Sequence, residues 1–178
     1  MAHDADPLKE LFPLVSALEE KGLQPVLVGG MALVVLGSQR VTKDFDLLVA
    51  SRDLPQDLLG VIYKQGYQLI AKFNKAGEVE RTIDNSKVAA ARLQLDKPRS
   101  VFFYNREKGL RVDLLLDFPL PTGNIAARAA SIGKKPRTLR VAAAEDLLRL
   151  KEIAYADRKS ASDAQDLEFL RTLLKERS

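Results

Sequence analysis

Five residues, Val26-Leu27-Val28-Gly29-Gly30, followed at a short distance by Asp44-Phe45-Asp46-Leu47-Leu48-Val49, constrain this chain most. The first is a short, continuously apolar run ending in two glycines, the pattern of a central strand that turns sharply into a helix. The second is a strand carrying two carboxylates one residue apart. Side chains alternate faces along a strand, so Asp44 and Asp46 share one face and Phe45 takes the opposite, apolar side. Two like charges side by side repel each other unless a cation compensates. Magnesium suits that role, because it takes oxygen ligands and shares them with substrate phosphates.

A third carboxylate is expected from a neighbouring strand. Asp113 in Arg111-Val112-Asp113-Leu114-Leu115-Leu116 is the candidate, since its apolar flank implies burial and a buried Asp needs a partner. Arg111 could be that partner in an ordinary ion pair, and Asp117 has the same strand parity and is a rival if the strand extends that far. Glycine lets backbone approach a phosphate closely, and the helix after Gly29-Gly30 offers free N–H groups. The pair is neither a Walker loop nor a dinucleotide fingerprint, because neither spacing follows it.

The remaining pattern is α/β, with flanking helices. Asp6-Pro7 opens a helix that Lys21-Gly22 closes, with Pro13 expected to kink or split it. Helices are expected over Met31 to Leu36 and Leu54 to Gln65, and a strand over Tyr67 to Phe73. Ala76 to Leu95 reads as helical in two parts, broken at Asp84-Asn85-Ser86. Val101 to Tyr104 and Leu110 to Leu116 read as a hairpin, and Arg137 to Val141 as a short edge strand. Two helices, Ala144 to Ala156 and Ala161 to Lys175, end the chain. The division expected is a core over residues 1–141 and a helical tail over 142–178 packed on it as one compact unit.

Composition removes several classes. Of 178 residues 46% are hydrophobic, enough for a core and against disorder. No apolar run is long enough to span a bilayer, and the polar, acidic start lacks the form of a signal peptide. Cysteine is absent, so disulfides and thiolate metal sites are excluded. These points favour the cytoplasm. His3 is the only histidine and lies in the terminal segment, so a histidine general base is not expected. The net charge of +4 falls entirely in residues 101–178; between Asp117 and Glu145 there is no acid, while Arg128, Lys134, Lys135, Arg137 and Arg140 are all basic. Such a stretch is either a solvated loop region or a patch for a polyanion such as RNA or a triphosphate.

Quoted together, Gly29-Gly30, Arg40-Val41-Thr42-Lys43-Asp44-Phe45-Asp46 and Val112-Asp113-Leu114-Leu115 resemble the DNA polymerase β-like nucleotidyltransferase superfamily. The likeness is nearest to the bacterial minimal nucleotidyltransferases and the abortive-infection (type IV) toxin nucleotidyltransferases. Glu145-Asp146-Leu147-Leu148-Arg149-Leu150-Lys151 looks like the toxin-type helix whose Lys approaches the triphosphate. Arg158-Lys159 with Asp163-Ala164-Gln165-Asp166-Leu167 looks like the stretch that follows it, with a slightly longer gap.

The resemblance implies a mixed sheet with flanking helices and transfer of a nucleoside monophosphate from an NTP to an acceptor hydroxyl. It implies Mg2+ (or Mn2+) held by Asp44, Asp46 and Asp113, and Lys151 as a catalytic cation. Gly29, Gly30, Ser38, Arg40, Lys43 and Asp163 would bind the nucleotide. Helix capping and a surface ion pair are an equal account of Asp163 and Asp166. The acceptor implied is an RNA 3′ end such as that of tRNA, or a protein, with a small molecule such as an aminoglycoside open; an antitoxin would be a partner. The competing reading is a non-catalytic nucleotide- or protein-binding module on the same fold. A phosphohydrolase is less favoured, because the chain has no His-Asp cluster.

Overall fold

The computed structural model describes residues 6–178 apart from 94, 96 and 98. The readings of His3 and of the first five residues lie outside the described residues. The chain runs α1 (Pro7–Glu20), β1 (Val26–Val28), α2 (Gly29–Val35), β2 (Asp44–Val49), α3 (Leu58–Lys64), β3 (Gln68–Phe73), β4 (Val79–Ile83) and α4 (Ser86–Arg92). It continues with β5 (Arg99–Asn105), β6 (Leu110–Leu116), α5 (Thr122–Arg128), β7 (Ala130–Lys134), β8 (Arg137–Val141), α6 (Ala144–Arg158) and α7 (Ala161–Glu176). Among the described residues eight strands form one mixed sheet in the order β4-β3-β5-β6-β2-β1-β8-β7.

The middle of this sheet positions the acids. β1 pairs antiparallel with β2, and β2 pairs parallel with β6, setting Asp46 opposite Asp113 and Asp44 opposite Arg111. Phe45, Leu47, Val112 and Leu114 are buried on the face opposite the acids, so a slip of one residue would turn this apolar set outward. The central register is therefore strongly specified. α2 lies against β1 and β2 and also meets α6 and α7, so the C-terminal helices are drawn over the carboxylate-bearing part of the sheet.

Most of the expected elements form, with instructive departures. Asp6 caps α1 by accepting from Leu8 N at 3.1 Å, and Gly22 follows the helix at φ +89°. Pro13 does not split α1; buried Leu11, Leu14, Val15 and Leu18 hold one continuous helix through it. The helix expected from Leu54 is shorter, a 3₁₀ turn over Ser51–Asp53 preceding α3 at Leu58. The first half of the Ala76–Leu95 segment is a strand instead of a helix. Val79, Thr82 and Ile83 are β-branched, and β4 pairs with β3 across a turn in which Asn74 Oδ1 accepts from the N–H groups of Ala76 and Glu78. The break at Asn85 is present: its side chain caps α4. Arg137–Val141 is not an edge strand, because β7 pairs outside it. Among the described residues no helix is long and apolar enough to cross a membrane.

Candidate active site

Asp44, Asp46 and Asp113 lie on one face of the two paired strands. Asp46 is half-buried, Asp113 buried, and the Asp44 side chain 51% exposed. Asp46 and Asp113 are within hydrogen-bonding reach of each other. Burial, followed by repulsion from Asp113, pushes the Asp46 carboxyl up to about 7. Burial likewise raises Asp113, against the pull of Arg111. Arg111 grips Asp113 with two bonds, Nε to Oδ1 at 2.8 Å and Nη2 to Oδ2 at 2.9 Å, and its Nη1 stands 3.9 Å from Asp44 Oδ2. The ion-pair account of Asp113 and its place beside Asp46 therefore hold together.

The glycine turn is shaped around these acids. Gly29 has φ +69°, and a Cβ there would fall 2.0 Å from Asp46 Oδ2, so no side chain fits while Asp46 keeps its position. A Cβ on Gly30 would meet the Arg40 guanidinium at 3.0 Å. Glycine is thus required at 29 by the carboxylate itself.

A cleft of about 650 Å³ opens beside the acids, lined by Asp46, Asp113, Lys151 and Arg158 on its polar side. Phe118, 44% exposed, and Ile153, 39% exposed, give it an apolar wall. Lys151, on α6, is not a solvated surface residue; its Nζ lies 3.2 Å from Asp163 and 2.7 Å from Asp166, both buried on α7. Asp163 also accepts from Ser160 Oγ at 2.7 Å and pairs with Arg158, and these donors hold its carboxyl below the ordinary range against the cost of burial. Arg40 pairs with Asp166. The ion pairs of Asp163 and Asp166 are therefore buried, not on the surface.

Ser38 and Lys43 lie on the loop between α2 and β2. Ser38 Oγ accepts from Arg40 N at 3.4 Å, and Lys43 is exposed. Asp117 does not join the acids. It follows β6 at φ +46° and accepts from Ser51 N, Ser51 Oγ and Thr122 N. In the basic stretch, Arg128 is committed to buried Asp146 and Arg140 to Gln24 and Ala126 O, while Lys134, Lys135 and Arg137 are exposed on the β7–β8 hairpin.

Sequence reasoning treated Arg111 only as a counter-ion, although its parity with Asp113 puts it on the same face. Among the described residues no set of three or more acidic, His or Cys side chains closes into a preformed ion cage. The donor chemistry fits a divalent ion of another kind. The oxygens are hard, Asp46 and Asp113 press together without enough positive charge, and such an ion completes its shell with phosphate and water.

Solved structures share this fold. The antibiotic-resistance factor ANT(2'')-Ia matches with a TM-score of 0.61 at 12% identity, over 97% of this chain and 86% of that one. The lincosamide antibiotic adenylyltransferase LnuA matches with a TM-score of 0.54 at 15% identity, over 93% and 96%. A nucleotidyltransferase-like protein from Paracoccidioides brasiliensis matches with a TM-score of 0.54 at 17% identity, over 95% and 77%. A search of curated proteins finds no match. The architecture is that of a polymerase β-like nucleotidyltransferase. The profile of the nucleotidyl transferase AbiEii toxins of type IV toxin–antitoxin systems matches residues 14–176, and the chain belongs to that family.

Proposed function

We propose that this nucleotidyltransferase moves a nucleoside monophosphate from an NTP to an acceptor hydroxyl and depends on Mg2+ or Mn2+ to do so. The observation that carries the reading is the in-register pair Asp46–Asp113 with Asp44 on the same face, beside a cleft that also holds Lys151. In this reaction the acceptor oxygen forms a bond to the α-phosphorus as the bond to the β-phosphate oxygen breaks, and pyrophosphate leaves.

Asp44, Asp46 and Asp113 would hold the divalent ions, which supply charge neutralisation at the attacking and leaving oxygens. Gly29 and Gly30, at the start of α2, would hold phosphate through their backbone, with Ser38, Arg40 and Lys43 on the separate loop between α2 and β2. Lys151 is a catalytic cation, held by Asp163 and Asp166 at a fixed place in the cleft wall. Asp163 acts on the nucleotide through Lys151 and Arg158, because both its oxygens are already engaged.

The acceptor we favour is the 3′ end of an RNA such as tRNA. Exposed Lys134, Lys135 and Arg137, in a stretch without acids, suit a polyanion. A protein hydroxyl is the other candidate. Membership of the AbiEii family supports a toxic role for this chain and neutralisation by an antitoxin partner.

The test is incubation with each α-labelled NTP and total cell RNA or protein. Label entering one pool, and falling by at least ~10³-fold in Asp44→Asn or Asp46→Asn, is the expected result. Undiminished transfer by either variant would refute the assignment. The Arg111 grip on Asp113 favours one competing reading, a non-catalytic nucleotide- or protein-binding module. NTP binding without pyrophosphate under any acceptor would select it.

A further inference from the structure

We infer that Arg111 is a resident counter-cation of the acid cluster, and that a divalent ion and the Arg111 guanidinium compete for Asp113. The inference rests on the reading of Asp44, Asp46 and Asp113 as ion ligands given above. Arg111 stands two residues before Asp113 on β6 and opposite Asp44 on β2, so the register alone sets it among the carboxylates. Its fork takes both Asp113 oxygens, at 2.8 and 2.9 Å, and leans toward Asp44 at 3.9 Å. Forked pairing of this kind is strong and directional.

The other cations lining the cleft make their ion pairs on α7. Lys151 is held by Asp163 and Asp166, and Arg158 by Asp163. Among the described residues Arg111 is the cation ion-paired with Asp113 and Asp44, while Lys151 acts on Asp46 through space. A divalent ion arriving at Asp113 would meet a fixed positive charge on the same two oxygens, and would bind less tightly for it.

The guanidinium also has a second hold. It lies 4.7 Å from the ring centroid of Phe73 and 5.1 Å from that of Phe102, and those rings meet edge to face at 5.8 Å. An arginine that gives up Asp113 keeps these two ring contacts, so its release does not leave it without a partner. Without an ion, Arg111 limits repulsion among the acids; with one, it yields.

The experiment is calorimetric titration of the full chain with Mn2+ alone at pH 8, for wild type, Arg111→Met, Arg111→Lys and Asp46→Asn. Methionine keeps an apolar stem against the phenylalanines and removes the charge. Arg111→Met is expected to tighten Mn2+ binding by at least ~10-fold. Its melting temperature without ion should fall, and added Mn2+ should restore it. Arg111→Lys, which keeps the charge but loses the fork, should shift affinity the same way by less, and it carries the test if Arg111→Met does not fold. Equal or weaker Mn2+ binding by the arginine variants, with Asp46→Asn still abolishing it, would overturn the inference and leave Arg111 as an orienting partner. Binding that Asp46→Asn does not change, or no binding by any variant, would overturn the ion-site reading itself and the inference with it.

Discussion

Two carboxylate clusters, one on β2 and β6 and one on α7, are neutralised to different degrees. On the strands, Asp44 and Asp113 share Arg111. Asp46 has no ion pair of its own among the described residues, only the through-space pull of Lys151 and Arg111, and burial and Asp113 drive it up to about 7. On α7, Asp163 and Asp166 meet Lys151, Arg40, Arg158 and the Ser160 hydroxyl, and Asp163 is held below its ordinary range. Both clusters are partly or wholly buried. The difference lies in the supply of positive charge and donors: the helix cluster is a closed clamp, while the strand cluster has room for more cation. A buried acid is structural where its partners are complete, and a site for chemistry where they are not.

The largest effect expected comes from opening the clamp. Asp166→Ala leaves Lys151 and Arg40 short of a buried counter-charge, and should cost roughly 3–5 kcal/mol in urea unfolding. A loss of under about 1 kcal/mol would show that the clamp contributes little and would erase the contrast.

The strand cluster should respond with the opposite sign. Because the Asp46 pKa is raised in the fold, the ion-free protein loses stability as pH rises from the ordinary carboxylate range through about 7. Asp46→Asn removes that loss. The variant should be more stable than wild type above pH 7 by roughly 1–3 kcal/mol, with the gain vanishing below about pH 4. Thermal melts across this range check it, and a variant less stable at pH 8 would break the comparison.

Asp117 sharpens the contrast, since it is satisfied by neutral donors alone. Even against the cost of burial, the Ser51 and Thr122 bonds hold it down at about 2. Its contribution is complete above about pH 4 and is lost as pH falls toward 2. Asp117→Asn keeps a side chain that tolerates positive φ, and should cost about 1–2 kcal/mol at neutral pH while flattening the acid limb of the stability curve. An unchanged acid limb would mean that these hydrogen bonds do not favour the charged form.

What was legible in the sequence follows from range. Alternation along β2 and β6 showed the faces of Asp44, Asp46 and Asp113, because strand parity is a local rule. Val79–Ile83 carries a strand signal in its β-branched residues, but adjacent Glu80 and Arg81 blur its alternation, and the pairing on β3 that fixes it is not visible in the segment alone. β7 was missed for the same reason, having little apolar content of its own: only Ile132 there is a large apolar side chain. The clamp joins Arg40 to Asp166, 126 residues apart, a separation that no local pattern reveals. Asp163 and Asp166 at helical spacing look the same whether capped at a surface or buried under Lys151.

The absent side chain at Gly29 has a consequence for descent. A Cβ there would stand 2.0 Å from Asp46 Oδ2, so alanine is barred at 29 for as long as the acid keeps its place at 46. A lineage that abandoned the chemistry would lose that steric restraint, while the φ of +69° would still disfavour a side chain there. Decay of the enzyme would thus be read first in the missing acid, and only later in the neighbour whose bareness has two causes.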